Sequence, residues 1–262
     1  MAQAGGSSAT ILQMREAERA SRGRRAITAT VLALALLAAA PAAAAPGARQ
    51  TASFEFTSRV PGTSTGTVAH LEFQNPENPS EKPPAVARMV VDAPAGSVTD
   101  TSVPPQCHAS DAELYVEGTS ACPAGSKIGG GLSVSDTGGG GPFPRYDDAT
   151  ITDFNTQGGV IGFGQVSSPP IRSVDHTTFS GTTATTNFPV FPGVPPPDPY
   201  TPIKSLDISF PPYSRNGRAY TRTPPTCPRS GYWTFKIDFT YRDGVTQSVE
   251  SHSPCTQRRR SG

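Results

Sequence analysis

The sequence predicts an all-β fold, an antiparallel β-sandwich of jelly-roll type with one short helix between Cys107 and Cys122. Three observations carry this. Apolar and polar residues alternate in short runs, the signature of strands with one buried face. Turn residues are abundant, with Gly 26 and Pro 28 in 262 residues. Nowhere do strand-like runs alternate with helical ones, as a doubly wound sheet requires.

The chain opens on an address. Arg15, Arg19, Arg22, Arg24 and Arg25 precede the apolar run Ala26–Ala40, then Pro41 and Ala42–Ala45. A positive region, a hydrophobic stretch and a small-residue exit describe a secretory signal peptide over residues 1–44, cleaved near Ala44. Membrane contact is expected only through this segment, if it stays uncleaved. Losing its five Arg and two Glu leaves 17 basic and 19 acidic residues, a net of −2. That balance offers no footprint for nucleic acid. The basic run Arg258–Arg260 reads as a solvated tail.

Residues 45–262 are expected to form a single domain. Strand candidates follow at 51–58, 66–73 and 86–92, placing Phe54, Phe56, Leu71, Phe73, Met89 and Val91 inward. Within Cys107–Cys122, Ser110 and Glu113 form a capping-box pattern and Gly118 supplies a left-handed C-cap, so a two-turn helix is predicted. Further strands are expected at 126–135, 148–154, 159–166 and 203–210. The stretch 187–202, NFPVFPGVPPPDPYTP, reads as a polyproline-like surface excursion. Tyr232–Tyr241 is the clearest strand: Trp233, Phe235, Ile237, Phe239 and Tyr241 share one face. Asp243-Gly244 then turns it into VTQSVES.

All four cysteines, Cys107, Cys122, Cys227 and Cys255, lie in the exported part and read as disulfides. Three connectivities exist. Local pairing, Cys107–Cys122 and Cys227–Cys255, closes the shortest loops. No C-x-x-C spacing points to structural zinc.

Motifs suggestive of chemistry fail their structural context. Gly62-Thr63-Ser64-Thr65-Gly66 has the G-x-S-x-G form but precedes a strand instead of a helix, so it reads as a turn. Asp136-Thr137-Gly138 has no second copy to complete an aspartic dyad. The glycines at 129–131 and 138–141 are followed by no helix that would cradle phosphate. His70, His108, His176 and His252 show no metal-binding spacing. Asp147-Asp148 with Asp153 is a weak calcium pattern. No catalytic residue, metal or cofactor is therefore assigned. For a glycosidase pair, Asp148 and Asp153 are the leading carboxylates, with Glu72 and Asp238 behind them. Tyr200, Tyr213 and Tyr220 are candidates for stacking on sugar.

The segments NPENPSEKPPAV (75–86), DAPAG…SVPPQC (92–107), SDAEL (110–114), ACPAGSKIGGG (121–131) and TPPTCPRSGYWTFKIDFTYRDGVTQSVESHSPC (223–255) carry a resemblance. Together they resemble the uncharacterised exported four-cysteine proteins of high-GC Gram-positive bacteria. The resemblance implies an exported β-rich domain with two local disulfides and transfers no functional residue. The expected function is that of a secreted or cell-envelope protein, a non-catalytic binding or structural component. Cell-wall polysaccharide or another envelope protein is its expected partner. The alternatives are an extracellular glycoside hydrolase or carbohydrate-binding jelly roll using a carboxylate pair, and an adhesion or inhibitor module using 187–202.

Overall fold

Period-two alternation builds nearly everything here. The computed structural model describes residues 47–139, 144–166, 171–191 and 200–256. The signal segment, residues 192–199 of the proline-rich excursion and the basic run near the C-terminus lie outside the described residues. In chain order the strands are β1 (Gln50–Phe56), β2 (Thr67–Phe73), β3 (Val86–Asp92), β4 (Val98–Thr99), β5 (Lys127–Asp136), β6 (Tyr146–Thr156), β7 (Gly159–Val166) and β8 (Ile171–Ser180). They continue with β9 (Thr183–Asn187), β10 (Ile203–Phe210), β11 (Ser214–Arg215), β12 (Arg218–Ala219), β13 (Thr221–Arg222), β14 (Tyr232–Tyr241) and β15 (Thr246–Pro254). Among the described residues one α-helix, α1 (Asp111–Glu117), lies between Cys107 and Cys122.

Eleven strands form one sheet in the order β1-β2-β10-β5-β6-β7-β8-β9-β3-β14-β15. Every neighbouring pair is antiparallel. The all-β antiparallel class is thus present, and its facing layers belong to one sheet that folds round until its edges nearly meet. An odd number of alternating strands leaves the two edges, β1 and β15, pointing the same way. At this seam side chains replace a backbone ladder. The Phe54 amide donates to Ser251 Oγ (2.8 Å) and the Phe56 amide to Ser253 Oγ (2.9 Å). Both serines are buried. An open edge would present unpaired backbone groups to other chains, and these hydroxyls satisfy them.

The sheet's two halves are filled differently. Between β1, β2, β3 and β14 the interior is packed with aromatics. Phe56 meets Trp233 edge-on at 5.6 Å, and Phe73 meets Phe239 at 5.7 Å. The Trp233 indole N–H donates to the Thr226 carbonyl, so its one polar atom is satisfied. Cys227–Cys255 clasps the open end of the β14–β15 hairpin.

On the other half the apolar packing lies outside the sheet. Phe154, Ile161, Phe163 and Val174 project outward under α1, where Leu114 and the Cys107–Cys122 disulfide cover them. This explains why β7 (GVIGFGQV) does not alternate in polarity: both its faces are covered. The helix forms as its sequence dictates. Ser110 Oγ accepts from the Glu113 amide while the Glu113 carboxylate accepts from the Ser110 amide. Asp111 reaches His176 of β8 at 2.9 Å, and the Arg172 guanidinium donates to the Tyr115 and Val116 carbonyls. Gly118 does end the helix at positive φ, though with ψ −144° and not as a left-handed cap. Among the described residues no helix is long and apolar enough to cross a membrane.

Candidate functional site

With aromatics on one side and packing displaced outward on the other, the interior is left hollow. Two cavities of about 200 Å³ each lie inside the sheet. Asp153, Phe188, Leu206 and Ile208 line both. The first is walled by Phe54, Leu71, Met89 and Phe235, the second by Ser133, Ser135, Ile151 and Ser173. Small residues create the space. On β7, Gly162 and Gly164 face it without side chains; a Cβ on Gly164 would fall beside Ile151 Cδ1 and the Ser173 hydroxyl.

Asp153, Gly162 and Asp175 form one row across β6, β7 and β8. The middle member has no side chain, and the Asp175 carboxyl leans over it: a Cβ on Gly162 would lie 2.5 Å from Asp175 Oδ2 and 2.8 Å from its Cγ. Two carboxyls therefore face the same hollow across a glycine. Asp153 is buried, and its Oδ2 has no hydrogen-bond partner among the described residues. Burial pushes the Asp153 carboxyl up to about 8, the neighbouring Asp175 adds to the rise, and Lys127 opposes it. Burial likewise raises Asp175 to about 7, with His176 opposing.

The sequence-derived candidates separate on this geometry. Asp153 and Asp148 are five residues apart on one strand, so they point to opposite faces. Asp153 is interior, whereas Asp148 is exposed on the outside. Asp147 lines the second cavity, and its carboxyl is raised by burial and by Asp148. The calcium pattern Asp147-Asp148-Asp153 is therefore not assembled; its members are split between two faces. Glu72 lies on the outer surface near His70, whose ring also meets Asp207 at 2.5 Å. Asp238 is held outside by Lys236 and Ser248. Neither joins Asp153.

Tyr220 is corrected as well. It is 4% exposed and packs with Ile128 and Val160 at one end of the hollow, so it offers no ring for stacking on a polymer. Burial, then the proximity of Asp153, raises its phenol. The Asp136-Thr137-Gly138 segment is a turn, with Asp136 Oδ1 accepting from the Gly138 amide at 2.8 Å. Asn155 closes the other end of its strand: its amide donates to the carbonyls of Thr101, Pro104 and Pro105, tying the loop before α1 across the sheet. The disulfides Cys107–Cys122 and Cys227–Cys255 take the local connectivity, and among the described residues no free cysteine remains. Asp175 is the functional candidate that sequence reasoning left unassigned. Its signal was positional, an acid at interior parity opposite a glycine, and reading it needs the strand register.

No family model matches the chain, and no curated protein does. Among solved structures, it is similar to BcpA, the major pilin subunit of Bacillus cereus, at 12% identity and TM-score 0.32. A variant of that subunit gives 10% identity and TM-score 0.31. The overlap covers 79% of this chain but only 40% and 41% of the pilin chains, so the chain spans less than half their length. A likeness at these scores carries no argument about activity.

Proposed function

We propose that this chain is an exported, non-catalytic binding protein of the cell envelope, whose sheet interior receives a small, largely apolar ligand. The hollow meeting at Asp153 is the observation that carries this reading. The signal-like segment and two disulfides favour an oxidising, extracytoplasmic setting. Cell-wall polysaccharide or another envelope protein remains the proposed outer partner, since two interior cavities of about 200 Å³ suit a small molecule and not a polymer.

A hydrolase is the reading that a carboxylate pair invites. Acid and base roles need two carboxyls whose environments push them apart. Here desolvation pushes both the buried Asp153 and the half-buried Asp175 upward together, which suits a recognition pair better than a general acid beside an ionised partner.

Titration with the neutral apolar dye N-phenyl-1-naphthylamine tests the interior. Saturable fluorescence enhancement is expected for the wild type and not for Ile208→Trp, whose side chain would fill the space shared by both cavities. Equal enhancement in the variant would overturn the interior as the site. Co-sedimentation with isolated cell wall tests the outer partner, and release of soluble sugar in that assay would favour the hydrolase.

A further inference from the structure

We propose that the interior ligand is an organic cation of low polarity, of alkylammonium type, with its nitrogen between Asp153 and Asp175 and its hydrocarbon part against Leu206 and Ile208. This deepens the interior-binding reading and rests on it.

The argument begins with Asp153 Oδ2, a buried acceptor with no partner among the described residues. Once ionised, a carboxylate only accepts, so the ligand that holds it in that form must donate. A second carboxyl, Asp175, is brought over Gly162 towards the same space. A third, Asp147, lines the adjoining cavity. The charges around this cluster leave the interior acidic. The lining from β1, β2, β3, β9, β10 and β14 is uncharged. Lys127 begins β5 and is exposed. Arg172 also lines the second cavity, but its guanidinium is engaged by the Tyr115 and Val116 carbonyls of α1, and His176 bonds outward to Asp111. Tyr220 contributes a phenol. A hydroxyl ligand would satisfy one acceptor, whereas an ammonium would satisfy acceptors on both carboxyls and supply the missing positive charge.

Proton balance follows. Near neutrality burial keeps protons on the pair, so seating a cation ionises a carboxyl and releases its proton to the buffer. Affinity for a ligand that stays protonated must rise as pH climbs through the pair's titration.

The test is displacement of N-phenyl-1-naphthylamine from the folded, oxidised protein by octylamine, 1-octanol and octanoate, between pH 6 and 8. Octylamine is expected to displace the dye at concentrations at least about tenfold below 1-octanol, with the advantage growing towards pH 8. Octanoate is expected to be the weakest. Asp153→Asn and Asp175→Asn, nearly isosteric and neutral, are expected to keep a cooperative melt while losing the preference for octylamine over 1-octanol, read as the ratio of the two displacing concentrations within each variant. Equal displacement by octanol and octylamine, or a preference that survives both substitutions, would overturn the cation assignment and leave interior binding standing. Failure of the wild type to bind dye would overturn both.

Discussion

The hydroxyl of Ser251 accepts the amide proton of Phe54 at 2.8 Å and donates its own proton to the Phe54 carbonyl at 3.0 Å. One side chain thus satisfies both backbone groups of an edge residue. A parallel edge pair would form slanted, slightly weaker ladder bonds, and here serine hydroxyls take their place. Ser251→Ala is expected to cost about 1–3 kcal/mol, because it leaves a buried donor and acceptor unpaired. Urea denaturation measures the loss. Amide exchange at Phe54 should quicken while exchange along the β5–β6 ladder holds.

Stability should fall as pH rises. Desolvation raises Asp153 to about 8 and Asp175 to about 7 in the folded protein, far above the unfolded value. Between roughly pH 4 and pH 8 the folded state holds more protons than the unfolded chain. The pair's contribution to stability is fully present below that window and is lost through it. Asp153→Asn should raise the melting temperature at pH 8 and flatten the slope between pH 5 and 8. An unchanged slope in the variant would contradict the buried pair.

Two glycines of one strand should respond differently to alanine. A Cβ on Gly162 meets the Asp175 carboxyl, the mobile end of a side chain. A Cβ on Gly159 meets the backbone carbonyl of Thr177 on the neighbouring strand, which cannot withdraw without breaking register. Gly162→Ala is expected to fold with a loss of about 1 kcal/mol, and Gly159→Ala to lose about 3 kcal/mol or more. Thermal melts of the two variants check the order.

The two disulfides hold different things. Cys107–Cys122 pins α1 over Phe154, Ile161 and Phe163, whereas Cys227–Cys255 clasps a hairpin already paired along its length. Replacing the first pair by serine is expected to cost about 3 kcal/mol. It should also open residues 107–126 to limited proteolysis. Replacing the second should leave that segment resistant.

Where side chains pack against apolar neighbours, the sequence announced the structure. β3, β7, β10 and β14 fall at 86–92, 159–166, 203–210 and 232–241, as their apolar runs predict. β8 and β9 were silent for a physical reason. Between Ile171 and Phe179 the interior positions of β8 are Ser173, Asp175 and Thr177, and β9 adds Thr186 beside Ala184; this polar stretch faces a hollow and not a packed core, so the polarity alternation is lost there. The site was hidden with them. Asp153 was legible as a strand carboxylate, and the odd spacing to Asp148 already placed those two on opposite faces. Its partner Asp175 became visible only once the register put Gly162 between them.

The parity of the sheet also decides where attachments can go. Because β1 and β15 run in the same direction, Gln50 and Pro254 lie at opposite poles, separated by about the length of a strand, roughly 23 Å. A tether entering before β1 and a fusion leaving after β15 would project away from each other along the long axis. A circular permutant joining these two points would need a linker of about eight extended residues running outside the seam. A pull applied between them would load the seam in shear along its length instead of peeling it from one end.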